Sequence, residues 1–213
     1  MSRSEGVGAK RTRRPVELEF VVNGIFCPTL VGRVHEFGEI SNALDSAQRS
    51  LRGSAVFLIG EAGVGKSRLA QEAIAEARRL RFSVLYGRAA EADIPLAFRP
   101  FAEALCSYFR ESGPLDLPEL KPFQPILARL VPEWRGAASA PAGESIVLLA
   151  EALLRVLRAV GRRAGCLLVL EDLHWADPET LSIIEYLAEN LASEPVVCLC
   201  TVRSGEGSGA TGL

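Results

Sequence analysis

Long apolar runs are missing from this sequence of 213 residues. No stretch reaches the roughly 18 consecutive apolar residues of a membrane span. The N-terminus has no apolar h-region, so no secretory signal is expected either. Histidine is scarce: only His35 and His174 occur, which argues against a His-based metal site. Lysine is scarce too, confined to Lys10, Lys66 and Lys121 in an Arg-rich chain. Net charge is -2, so no whole-chain field draws nucleic acid or an anionic membrane. The five cysteines (Cys27, Cys106, Cys166, Cys198, Cys200) are odd in number and scattered, which is no disulfide framework. Cys198 and Cys200 lie two apart in an apolar run, on one face of an expected strand. They read as buried thiols in a thiol-reduced, cytoplasmic setting. What is present, 48% apolar and 23% charged residues, suits one globular domain with a real core.

Residues 1–28 read as a basic, partly disordered tail and 206–213 as a flexible Gly/Ser tail, with a folded domain between them over 29–205. Within the tail, VELEFVV (16–22) alternates weakly and could form a short strand. From His35 to Leu51, Phe37, Ile40, Leu44, Ala47 and Leu51 recur at helical steps. SAVFLIG (54–60), FSVLYGRA (82–89), CLLVLED (166–172) and PVVCLCTVR (195–203) are near-continuous apolar runs, as expected of strands buried on both faces. Helical patterns separate them at 66–80, 145–160 and 177–191. The last begins with Asp177 as N-cap and Pro178 at the first helical position. Region 91–142 carries short helical pieces around 100–111 and 122–130. Strands alternating with helices predict an α/β fold with a parallel sheet. Ligand belongs at the carboxyl ends of its strands.

GEAGVGKS (60–67) follows the first of these strands and opens a helix. It fits the phosphate-loop pattern at Gly60, Gly65, Lys66 and Ser67. Gly60, Gly63 and Gly65 let the backbone curl with its N–H groups inward. The helix N-terminus adds free N–H groups and a positive dipole end. Lys66 supplies a compact charge for the β- and γ-phosphates, and the Ser67 hydroxyl a ligand for Mg²⁺. Glu61, Ala62, Val64 and Arg68 complete the expected phosphate wrap. LLVLED ends a neighbouring strand in Glu171 and Asp172, candidates to hold Mg²⁺ and to polarise water. Spacing leaves open which acid does which. TVR places Arg203 at the end of the fourth strand, where it could stabilise charge on the γ-phosphate.

Together LVGRVHEF (30–37), GEAGVGKS, LLVLEDLHWAD (167–177) and CLCTVRSGE resemble the ATPase module of STAND-type AAA+ proteins. The likeness is greatest to the large ATP-binding LuxR-type transcriptional regulators, and related modules occur beside nucleotide cyclase and kinase domains. The resemblance spans roughly 30–205. It departs from the usual pattern in placing Glu171 where an Asp usually stands. It implies a three-layer P-loop NTPase fold with strand order 5-1-4-3-2, in which the fifth strand has no counterpart in this sequence. The strand AVFLI would then be a bare edge, unless VELEFVV pairs there. It further implies ATP and ADP with Mg²⁺, Val31 and Arg33 against the adenine, and packing roles for His174 and Trp175. Catalytic roles would fall to Lys66, Glu171, Asp172 and Arg203. The implied activity is a slow ATP-hydrolysing switch of a signalling or transcriptional regulator, self-associating through this module. No lid, helical repeats or DNA-reading helix-turn-helix is read in 1–213, so a fragment or truncated product is expected, with no membrane or direct DNA contact of its own. Small-molecule phosphotransfer and nucleotide binding without turnover are the alternatives.

Overall fold

A computed structural model of the chain describes residues 19–22, 25–27, 34–92, 96–113, 118–131, 134 and 145–204. Its strands are β1 (Glu19–Val22), β2 (Ile25–Cys27), β3 (Ser54–Gly60), β4 (Ser83–Arg88), β5 (Cys166–Glu171) and β6 (Val196–Arg203). The helices are α1 (Val34–Ser50), α2 (Lys66–Arg79), α3 (Arg99–Ser112), α4 (Gln124–Leu127), α5 (Ile146–Gly161) and α6 (Pro178–Asn190). They form one sheet in the order β2-β1-β3-β6-β5-β4. Strands β3, β6, β5 and β4 are parallel, in the expected 1-4-3-2 arrangement.

No fifth parallel strand lies beside β3 among the described residues. The place is taken by β1, antiparallel, with β2 antiparallel outside it. The expected bare edge is thus covered by the segment that alternated weakly in sequence. Strand β2 was not anticipated, although Asn23-Gly24 between the two short apolar runs is a strong hairpin signal.

Alternation along the central strands divides the core in two. Ala55, Phe57, Leu168, Leu170, Cys198, Cys200 and Val202 pack with α3, α5 and α6. Val56, Leu58, Leu167, Val169, Val197 and Leu199 pack with α1 and α2. Helix α2 meets the sheet through Leu69, Ala70, Ala73, Ile74 and Ala77, one apolar stripe at helical spacing. Cys198 and Cys200 are buried on the same face with their sulfurs 3.7 Å apart. The Cys166 thiol is raised well above its ordinary value by burial, so it is no nucleophile.

Where α1 hands over to β3, backbone meets backbone. A Cβ on Gly53 would lie 2.2 Å from the Val196 carbonyl oxygen, 2.6 Å from that of Glu194 and 2.7 Å from that of Leu191. None of these atoms can rotate away. Gly53→Ala is therefore expected to cost about 3 kcal/mol, the upper end of ordinary overpacking. For a chain of this size that lowers Tm by about 10 °C. Gly38, inside α1, meets nothing within 4 Å. Gly38→Ala should therefore raise stability by up to about 1 kcal/mol through helix propensity. Calorimetric melts of the pair check both signs.

Candidate functional site

The parity of the strands assembles the site. Val169 and Leu199 face α2, and alternation carries that face on to Glu171, Thr201 and Arg203. Register sets Gly60 beside Arg203 and Arg88 beside Glu171. The carboxyl ends of four strands therefore meet the start of α2.

Gly63 (φ 80°) and Gly65 (φ 97°) hold the left-handed conformations that curl the loop. No side chain caps the start of α2, so its first N–H groups point into the loop. Lys66 is only 8% exposed. Its ammonium donates to the Gly60 carbonyl at 2.7 Å and the Glu61 carbonyl at 2.8 Å. Burial lowers its pKa below the ordinary lysine value; the Arg203 charge lowers it further, and Asp172 opposes both. The Ser204 N–H also donates to the Gly60 carbonyl, tying the end of β6 to the loop.

A cavity of about 220 Å³ opens here, lined by Ala62, Gly63, Gly65, Lys66, Ser67, Arg68, Arg88, Asp172 and Arg203. It gathers most of the residues picked out from sequence, while Gly60, Glu61, Val64 and Glu171 are not among its lining. Arg68 also pairs with Glu72 along α2, at 2.9 Å. Val31 and Arg33 lie outside the described residues.

The two acids are held differently. Glu171 is 4% exposed, accepts from the Tyr86 hydroxyl at 2.6 Å through Oε2, and keeps Oε1 without a partner. Asp172 follows the strand in the left-handed region, φ 57° and ψ 40°, which turns its side chain into the cavity. Its N–H donates to the Thr201 hydroxyl at 2.9 Å, and its Oδ2 accepts from Arg88 Nε at 2.7 Å. Tyr86 and Arg88 were not singled out by sequence. Their role depends on strand register, which no local pattern encodes.

The LHWAD segment is mainly scaffold. Asp177 caps α6 by accepting from the Thr180 N–H at 2.9 Å, and also accepts from the Phe98 N–H at 3.1 Å before α3. His174 lies against Trp175, ring centroids 5.1 Å apart. Both its ring nitrogens are buried without hydrogen-bond partners, and burial lowers its pKa. Trp175 is a third exposed, on the surface rather than in the core.

Oxygen donors from Ser67, Glu171 and Asp172 suit a hard divalent cation such as Mg²⁺. Ser67 and Asp172 line the cavity itself; Glu171 does not, but its buried Oε1 has no partner and is an oxygen that a cation could satisfy. The curled loop and Lys66 suit the phosphates of a nucleotide.

An uncharacterized protein of Rhizobium meliloti (strain 1021) is 27% identical over 205 residues, covering 84% of this chain and 19% of that protein. The chain thus spans about a fifth of the length of this relative. Among solved structures, those of Drosophila ORC bound to GC-rich DNA and Cdc6, and to AT-rich DNA and Cdc6, are similar at TM-scores of 0.39 and 0.40. Both are 12% identical; they cover 83% of this chain and 52% and 51% of theirs. Residues 29–199, most of the chain, match the family described as AAA ATPase domain. On that match the chain belongs to the AAA ATPase domain family, a family of nucleotide-binding modules.

Proposed function

We propose that this chain is an ATP-binding and slowly ATP-hydrolysing switch module of a cytoplasmic signalling or transcriptional regulator. The observation that carries the reading is one cavity lined by Lys66, Ser67, Asp172 and Arg203, with two left-handed glycines in the loop around it. Lys66 and the loop N–H groups bind the phosphates. Ser67 and Glu171 would hold Mg²⁺, which would neutralise phosphate charge. Asp172 orients the attacking water, and Arg203 meets the charge that develops on the γ-phosphate. Val31 and Arg33 are the proposed adenine contacts. A switch further requires that ADP and ATP favour different conformations, because a ligand moves an equilibrium only by its unequal affinities. Self-association through this module is the proposed readout, and no DNA contact is assigned to it.

Isotopic turnover tests the reading. ATP labelled at the γ-phosphate should give ADP and free phosphate without any added acceptor. Label appearing only on a small-molecule acceptor would make the chain a phosphotransferase. Binding with no release would make it a nucleotide-dependent interaction module.

A further inference from the structure

Strand β4 supplies a donor to each acid, and the two donors differ in kind. Arg88 gives Asp172 a cation; Tyr86 gives Glu171 a neutral phenol. Tyr86 sits opposite Val169 on the adjacent parallel strand, so Glu171 is the next residue along on the same face. The Tyr86 ring also lines a groove of about 270 Å³ between α2 and α3, with Ile74, Val84 and Tyr108. At 2.6 Å the Tyr86 hydroxyl donates to Glu171 Oε2, which fixes one of the two carboxylate oxygens.

A carboxylate this buried with one oxygen unpartnered is costly unless something takes that oxygen. The phenol occupies Oε2 and adds no charge. A cation in its place would neutralise the carboxylate and compete with a metal. We propose that Tyr86 is a positioning residue for Glu171, fixing one carboxylate oxygen so that Oε1 is presented to the magnesium of a bound nucleotide. This rests on the Mg·ATP reading of the site. It adds to that reading an outer donor that the chain itself supplies, of the kind that orients metal-holding carboxylates.

The test uses the full chain in four forms: wild type, Tyr86→Phe, Glu171→Gln and the double variant. Calorimetry measures ATP binding without metal and across a Mg²⁺ titration, with turnover measured alongside. Tyr86→Phe should bind metal-free ATP as wild type does. Its Mg²⁺ requirement for binding should rise about tenfold, the low end for losing an outer-shell partner, and turnover should fall by a similar factor at limiting Mg²⁺ and recover at saturating metal. In the Glu171→Gln background, adding Tyr86→Phe should change neither quantity. An unchanged Mg²⁺ requirement, with or without a lower Tm, marks a packing role only and overturns the proposal. So does the full tenfold loss persisting when Glu171 is already Gln. If wild type binds no ATP, or binds it without any Mg²⁺ dependence, the nucleotide reading itself falls and the Tyr86 role with it.

Discussion

Lys66→Ala is expected to abolish tight Mg·ATP binding, with affinity falling at least about a hundredfold. The magnitude follows from what the side chain does. It places one ammonium, 8% exposed, at the mouth of the phosphate loop. A hydrogen bond to a charged group is worth roughly 1.5–3 kcal/mol. One ammonium can serve two phosphate groups, and about 2.8 kcal/mol is a hundredfold in affinity. The protein itself should tolerate the change. The Gly60 carbonyl keeps a donor in the Ser204 N–H, and the loop curl is set by Gly63 and Gly65 rather than by the lysine. Loss of binding with an unchanged melt is therefore the expected pattern. Isothermal calorimetry reads it directly, and an unchanged affinity would sink the assignment of the loop. Lys66→Arg should not rescue, since a planar guanidinium cannot take the place of a compact ammonium held by two carbonyls.

Lys66 was legible in sequence because its constraints are local: an apolar strand, a glycine-punctuated turn and the start of a helix lie within 15 consecutive residues, 54–68. The same locality made the four parallel strands and α1, α2, α5 and α6 readable, each within a residue or two of its place. What was not legible acts across strands. Tyr86 and Arg88 look like ordinary residues of a strand end; only the pairing of β4 with β5 brings them to Glu171 and Asp172. The division of labour in the acidic pair was hidden for a related reason. Alternation sends adjacent side chains to opposite faces. Asp172 escapes that rule through a left-handed backbone, which a non-glycine residue rarely adopts and no spacing announces. The covered edge beside β3 was visible only as a weak alternation, because strands of 4 and 3 residues leave little pattern to count.

Asp172→Asn should retain nucleotide and lose hydrolysis, by about a hundredfold or more, in the range reported for removing a catalytic acid or base group. Asn is the right probe for this position. At φ 57° Asn is among the few residues that accept the left-handed conformation as readily as Asp, so the backbone and its bond to Thr201 should survive. Asp172→Ala would mix the lost carboxylate with backbone strain. The Arg88 pair does not lock Asp172 away. Its guanidinium side is 58% exposed, and ion pairs of that kind are worth at most about 1 kcal/mol. A bound nucleotide can outweigh that, leaving the carboxylate available to orient water. Glu171→Gln tests the complementary role. Its Oε2 position can still accept from Tyr86 through the amide oxygen, so the variant should fold, and its defect should appear in the Mg²⁺ requirement more than in turnover at saturating metal. Single-turnover hydrolysis at saturating Mg²⁺ separates the two. If Glu171→Gln is the slower variant there, the roles are exchanged: Glu171 works on the water, and Asp172, from its place in the cavity wall, holds the metal.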